Sequence, residues 1–175
     1  MVVGIKLLGA AFVVGAAAYY GIILSQTYDN RYWQLRHLYS IFLQMKSEMH
    51  YMNTPLPECF RILGDNAKEP VKAWLLGISD RLENKEEVGF SIIWSEELDN
   101  LYNHSALTKE DICLLQELAD KLGTADGSTQ EKAIDYTLLQ LEHNRKDLES
   151  EMKEKKKVVT TISMFVGLVV LIILL

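Results

Sequence analysis

Two long apolar runs stand at the ends of the chain, and between them apolar residues recur at helical spacing. Residues 7–24 and 158–175 each form an uncharged, mostly apolar run of eighteen residues. A membrane-spanning helix needs about 20 apolar residues, with a lower limit of about 17. The pattern therefore predicts a transmembrane helix at each end, over residues 1–24 and 158–175, with Lys6 snorkelling to extend the first span.

A cleaved signal peptide is the alternative for the N-terminal run, because Ala16-Ala17-Ala18 resembles a cleavage site. The apolar run continues past these alanines to Leu24, and Lys6 is the one basic residue ahead of it. Both features favour an anchor that is retained.

The basic residues beside the two runs predict the orientation. Arg31 and Arg36 follow the first run, and four lysines between positions 153 and 157 precede the second. Basic residues collect on the cytoplasmic side of membrane spans. The domain between the spans, residues 30–157, is therefore predicted to be cytoplasmic, with both chain ends near the opposite face of the membrane.

The middle of the chain shows a period of 3 to 4 residues, which is typical of amphipathic helices, and shows no convincing strand pattern. The predicted fold class is all-α, about a six-helix antiparallel bundle between two terminal transmembrane helices. The six predicted helices cover about 30–52, 54–66, 71–82, 88–102, 108–123 and 128–157.

The first and sixth of these helices are the longest, and both have apolar residues at heptad spacing. Because each adjoins a predicted span on the same membrane face, the two must run antiparallel. We expect them to form a stalk, with the four shorter helices packed at its membrane-distal end. The heptad positions are Leu35, Leu38, Phe42, Met45, Met49 and Met52 in the first helix, and Ile134, Leu138, Leu141, Leu148 and Met152 in the sixth.

Three segments match the signals that begin helices. Thr54 is expected to cap the second helix, with Pro55 in its first turn. Capping boxes, in which two side chains reciprocally bond the first backbone amides of a helix, are predicted at residues 108–111 and 128–131.

The charge of the central domain limits the class of partner. Between Asp29 and Ser150 there are 22 acidic and 13 basic residues, a net charge of −9. Nucleic acid is excluded as a partner, because its phosphates require a basic surface. The acidic surface fits a basic protein partner, or it simply keeps the domain soluble.

The sequence contains no arrangement of residues that indicates catalysis. It has no glycine-rich phosphate loop, and its four histidines and two cysteines lack the spacing of zinc ligands. Glu48 and His50 beside Tyr51 suggest an acid–base set, but they lie on a helix whose other residues belong to core and surface. The chain is therefore predicted not to be an enzyme and not to bind a cofactor or a metal ion.

A run of residues around the end of the first helix goes beyond periodicity. It comprises Gln34-Leu35-Arg36, Leu43-Gln44, Glu48, Tyr51, Thr54-Pro55-Leu56-Pro57-Glu58 and Phe60. This run resembles the stage III sporulation protein AB family of endospore-forming bacteria, most specifically at residues 54–58. The resemblance extends over the rest of the chain through Trp94, Leu122-Gly123, Asp126, Gln130, Leu141-Glu142, Phe165 and Gly167. The chain departs from the family at Cys59, where alanine is usual, and at Tyr32-Trp33, where Pro-Arg is usual.

The resemblance implies a place in a secretion-like channel between mother cell and forespore, in the outer forespore membrane. It also implies a domain similar to the cytoplasmic domain of platform proteins in type II secretion and type IV pilus systems. Platform proteins couple a cytoplasmic ATPase to the membrane complex. The partners implied here are a secretion-type ATPase similar to stage III sporulation protein AA and other membrane proteins of the same channel.

The predicted partner-binding residues are those of the family turn and the helix face before it: Glu48, Tyr51, Thr54, Pro55, Leu56, Pro57 and Glu58. Each also has a purely local use, since Thr54 can cap a helix, the prolines can shape the turn and Tyr51 can pack. The alternative function is a structural scaffold that forms homo-oligomers in the membrane without touching the ATPase. The heptad positions, and small residues at four-residue spacing in the predicted spans, motivate that alternative.

Overall fold

The computed structural model describes residues 26–52, 54–84, 87–123 and 127–174, with side chains as far as Lys155. Within these residues the chain forms six α-helices and no strand, which confirms the predicted all-α class. Residues 26–47 form α1, and a π-helical turn, Glu48–Met52, continues it. The remaining helices are α2 (Leu56–Asn66), α3 (Val71–Glu83), α4 (Phe90–Asn103), α5 (Lys109–Leu122) and α6 (Gly127–Leu174).

The two predicted membrane spans fall largely beyond what the structure describes. Residues 1–24 lie outside the described residues, as do Leu175 and the side chains of residues 158–174. In the part of the chain that is described, no helix combines the length and the apolar character of a membrane span.

The chain divides into two compact units. One is Arg31–Lys146; the other combines Met1–Asn30 with Asp147–Leu175. In the described part of the second unit, the ammonium group of Lys155 lies over the ring of Tyr28 and donates a hydrogen bond to its hydroxyl.

The apolar positions of α1 form one wall of the core of the Arg31–Lys146 unit. Leu35, Leu38, Phe42 and Met45 are fully buried, as the heptad spacing predicts. The prediction is wrong at Met52, which is 71% exposed. The physical reason is the π-helical turn, because a wider turn changes the angle between successive side chains and moves the apolar face out of register.

Side-chain contacts show that α1 and α6 run antiparallel in this unit. Tyr32 accepts a hydrogen bond from Arg145 (3.1 Å), whereas Lys46, further along α1, pairs with Asp135, nearer the start of α6 (2.7 Å). The heptad residues Ile134, Leu138 and Leu141 of α6 are buried, as predicted.

The prediction that the four shorter helices pack at the membrane-distal end of the α1–α6 pair is wrong. They lie along the side of α1 rather than beyond its end, since Arg31, in the first turns of α1, bonds Asp111 of α5. The amide of Ala106 likewise donates to the side chain of Gln34 (2.8 Å).

The short helices enclose an aromatic cluster. Trp74 and Trp94 meet edge to face with ring centroids 4.9 Å apart, and Phe42 and Phe60 each pack against one of them. These rings are fully buried. Trp33, by contrast, is 60% exposed, with the guanidinium of Arg36 over its ring at 5.2 Å.

Two glycines sit where helices approach each other. A Cβ on Gly64 of α2 would lie 2.7 Å from the side chain of Leu76 and 3.3 Å from its backbone nitrogen. For a Cβ on Gly77 of α3, the three nearest atoms all belong to the carboxylate of Glu97, the closest at 2.6 Å. The contact at Gly64 involves the Leu76 side chain as far in as Cγ, at 2.8 Å, whereas the contact at Gly77 involves the movable end of a side chain.

The predicted caps have mixed outcomes. Thr108 and Asp111 form the expected capping box at the start of α5. Thr54 does not cap α2, since Pro55 occupies the N-cap position and no side chain caps that helix. The capping box predicted at residues 128–131 stays a prediction, because α6 follows directly on residues 124–126, which lie outside the described residues.

Candidate functional site

The predicted partner-binding residues gather at the junction of α1 and α2. We call residues 48–52 and 54–58 the α1–α2 corner. Its first half is the π-helical turn that ends α1, and its second half is the extended segment and first turn of α2. Pro55, with φ −58° and ψ 146°, is extended and therefore cannot continue a helix. Residue 53 lies outside the described residues.

Two hydrogen bonds between Glu48 and Thr54 hold the corner together. The amide of Thr54 donates to the backbone oxygen of Glu48 (3.3 Å), and its hydroxyl donates to the Glu48 carboxylate (3.2 Å). Thr54 therefore closes the turn back onto α1 instead of capping α2. Two of the predicted site residues are thus brought together, but for a structural purpose.

Tyr51 projects from the corner into solvent, with 76% of the residue exposed. The imidazole of His50 meets the Tyr51 ring edge to face, with centroids 4.7 Å apart. Met52, which sequence reasoning assigned to the core, lies beside Tyr51 on the surface. The corner therefore presents two exposed apolar side chains that are adjacent in sequence. The alternative in which Tyr51 packs into the core is wrong.

Charged residues of α6 border the corner, and sequence reasoning missed them. Lys46 pairs with Asp135 (2.7 Å) and Glu131 (3.3 Å), and His50 lies 3.4 Å from Glu131. The hydrogen bond that Lys46 donates to Asp135 is the main cause that raises the pKa of Lys46. These partners lie more than 80 residues apart in sequence, and no local pattern could have revealed them.

The residues at the start of α2 divide between core and surface. Pro57 is half-buried, and its carbonyl accepts a hydrogen bond from the buried hydroxyl of Ser79 (2.8 Å). Leu56 is also half-buried, whereas Pro55 and Glu58 are exposed. Burial, with a smaller effect from Glu48, raises the pKa of the Cys59 thiol to about 12.

A shallow cleft lies between α3 and α4. Its volume is about 560 Å³, and its lining includes Glu69, Trp74, Asn100 and His104. Both titratable side chains are used locally: Glu69 accepts from the amide of Ala73 (3.3 Å), and His104 lies 2.9 Å from the carbonyl of Asn100. Among the described residues, moreover, no three metal-binding side chains lie close enough to hold an ion.

A family model for stage III sporulation protein AB matches residues 6–175. The chain belongs to the stage III sporulation protein AB family. This confirms the resemblance drawn from residues 54–58 and the helix before them.

Individual members of the family agree with this assignment. The chain is 26% identical over 170 residues to stage III sporulation protein AB of Bacillus subtilis (strain 168), which covers 97% of this chain and 99% of that protein. A solved structure of stage III sporulation protein AB is similar with a TM-score of 0.66 and 24% identity, covering 71% of this chain and 97% of that chain. The structural likeness shows a shared fold, and membership of the family gives the chain a role in sporulation.

Proposed function

We propose that the chain is a membrane platform of the sporulation channel between mother cell and forespore, and that its helical domain docks a cytoplasmic secretion-type ATPase. The ATPase would be the counterpart of stage III sporulation protein AA. The chain itself performs no turnover in this proposal. It gives the ATPase a fixed position at the membrane, beside the other membrane proteins of the channel.

The observation that carries the proposal is the exposure of the α1–α2 corner. Solvent-exposed Tyr51 and Met52 lie together just before residues 54–58, the part of the chain that resembles the family most specifically. Large apolar side chains that a fold leaves adjacent on its surface are typical of protein–protein contact sites. Docking to a partner would explain why these side chains are apolar and exposed, because neither of them packs in the core of the domain.

The proposed location follows from the sequence. Apolar runs over residues 1–24 and 158–175 serve as the two spans in the outer forespore membrane, and residues 30–157 lie in the mother-cell cytoplasm. The four lysines between positions 153 and 157 support this orientation through the rule that cytoplasmic flanks are basic. A cytoplasmic ATPase can then reach the corner.

A structural scaffold that only oligomerises is the second candidate. The heptad residues that motivated it are mostly used inside the fold, because Leu35, Phe42 and Leu141 are fully buried. What still favours it is the exposure of Leu43 (51%) and Leu139 (64%), one on each of the paired helices α1 and α6. These two side chains offer a surface for a second copy of the chain.

The test is binding of the cognate ATPase to the full chain reconstituted in lipid nanodiscs, measured by calorimetry. The platform proposal predicts saturable binding with a Kd in the micromolar range or tighter. The mass of the purified full chain in nanodiscs, measured by light scattering, is recorded in parallel. Oligomers that bind no ATPase would contradict the platform proposal and favour the scaffold.

A further inference from the structure

We infer that Tyr51 and Met52 insert into an apolar pocket of the docking partner, and that the rim of this pocket carries arginine or lysine side chains. The inference rests on the proposed function, because the partner is taken to be the ATPase. It adds the chemistry by which the two surfaces recognise each other.

The first step in the argument is the pair of exposed side chains. Tyr51 and Met52 are the two most exposed of the large apolar residues that the structure describes, at 76% and 71%. Tyrosine and methionine are enriched in the buried centre of protein interfaces, where a rigid ring and an adaptable thioether fill a pocket. They are adjacent in sequence and both exposed, and we call this pair of side chains the projection.

The second step is that the projection is held in place before any partner binds. The edge-to-face contact of His50 supports the Tyr51 ring, and His50 is itself 3.4 Å from Glu131 of α6. On the other side, the bonds between Thr54 and Glu48 close the turn. A contact residue that is already ordered loses less conformational entropy on binding.

The third step is the charge around the projection. Glu48 and Glu58 belong to the corner, and Glu131 and Asp135 border it from α6. Lys46 forms ion pairs with both Glu131 and Asp135 and offsets one of these two negative charges. Leaving the imidazole aside, four carboxylates stand against one ammonium group, a local excess of three negative charges. Complementary potentials guide association, so the surface that receives this projection carries positive charge.

The experiment separates the effect of the charges at the corner from the effect of the net charge of the whole domain. Ile92 of α4 is a matched apolar control, because it is 50% exposed but lies on a different helix. Glu117 of α5 is a matched charge control, since it too is exposed. Replacing Glu117 changes the overall charge as much as replacing Glu58 does.

The experiment measures the affinity of the cognate ATPase for the full chain in nanodiscs, at low and high salt. We expect Tyr51→Ala to weaken binding about tenfold or more, as at the centre of an interface. Glu58→Lys is also expected to weaken binding about tenfold, and Glu58→Gln less, because it removes the charge without reversing it. Affinity of the unchanged chain should fall as salt rises. Circular dichroism and thermal unfolding show whether each variant keeps its fold.

The outcomes separate this inference from the function on which it rests. Loss of affinity in Tyr51→Ala and Glu58→Lys, with Ile92→Ala and Glu117→Lys within about twofold of the unchanged chain, supports the inference. If the unchanged chain binds but either corner variant binds equally well, the inference is overturned and the platform stands. If the unchanged chain does not bind the ATPase, the proposed function fails, and the inference fails with it.

Discussion

Replacing Asp111 should destabilise the domain more than almost any other single change of a polar residue. Its carboxylate is fully buried and accepts hydrogen bonds from Arg31 Nε (2.8 Å) and Nη2 (3.1 Å), from the Thr108 amide (3.0 Å) and from Asn144 Nδ2 (3.0 Å). One side chain thereby joins α1, α5 and α6.

The size of the effect follows from two separate losses. Asp111→Ala removes one of the two bonds of the capping box, the one that the Thr108 amide donates to the carboxylate, and this loss costs about 1 kcal/mol. It also leaves the guanidinium of Arg31, whose side chain is 21% exposed, without its carboxylate. Breaking a buried ion pair costs about 3–5 kcal/mol, and the partial exposure of Arg31 places this case at the low end, about 3 kcal/mol. The expected loss is therefore about 4 kcal/mol of the roughly 5–15 kcal/mol that stabilises a domain.

The assay is urea unfolding of residues 30–157, followed by circular dichroism, provided that the wild-type segment unfolds in one cooperative transition. Asp111→Asn keeps an acceptor for the Thr108 amide but loses the charge, so it should cost about 2–3 kcal/mol. Asp111→Ala and Arg31→Met, each alone and together, form a double-mutant cycle, with an expected coupling of about 1–3 kcal/mol. A loss of less than about 0.5 kcal/mol for Asp111→Ala, as at an ordinary surface site, would refute the reasoning. It would also be refuted if the losses of Asp111→Ala and Arg31→Met simply added up in the double mutant.

Three further predictions concern other parts of the same unit. Burial, together with a nearby lysine, lowers the pKa of His37, so the unfolded chain binds a proton at this histidine before the folded chain does as the pH falls through 6.5. The free energy of unfolding should therefore decline below that pH, and it should decline less in His37→Gln. Equal declines for the two chains in urea titrations would contradict this prediction. Alkylation at pH 8, read by mass spectrometry, should modify the exposed Cys113 and spare Cys59, whose thiol stays protonated; equal labelling of the folded chain would count against the burial of Cys59. Gly64→Ala should cost about 2 kcal/mol because the new methyl group would collide with Cδ2 and Cγ of Leu76, at 2.7 and 2.8 Å, while Gly77→Ala should be neutral or slightly stabilising; similar unfolding midpoints of the two variants would contradict this packing.

Periodicity predicted the elements of the fold well because it depends on neighbours along the chain. Leu35 to Met45 are buried at the predicted positions, and the capping box of α5 forms because Thr108 and Asp111 are three residues apart. The same reasoning failed at Met52, where a π-helical turn interrupts the period without any glycine or proline to announce it. It also failed at Thr54, whose hydroxyl donates a hydrogen bond to the Glu48 carboxylate instead of capping α2.

The candidate site was predictable only in part. Resemblance to the family indicated the segment, and exposure of Tyr51 and Glu58 fits a contact surface. The residues of α6 that border the segment, Glu131 and Asp135, come close only through the antiparallel packing of α1 and α6. No single-sequence pattern encodes a pairing across 80 residues.

Site-specific photo-crosslinking in sporulating cells tests the docking of the ATPase most directly. A photoreactive amino acid replaces Tyr51 in the full chain, and in a control it replaces Tyr102, an exposed tyrosine of α4. The account predicts a crosslink between position 51 and the secretion-type ATPase, absent from position 102. Crosslinks from position 51 that reach only further copies of this chain would contradict the account and support the scaffold.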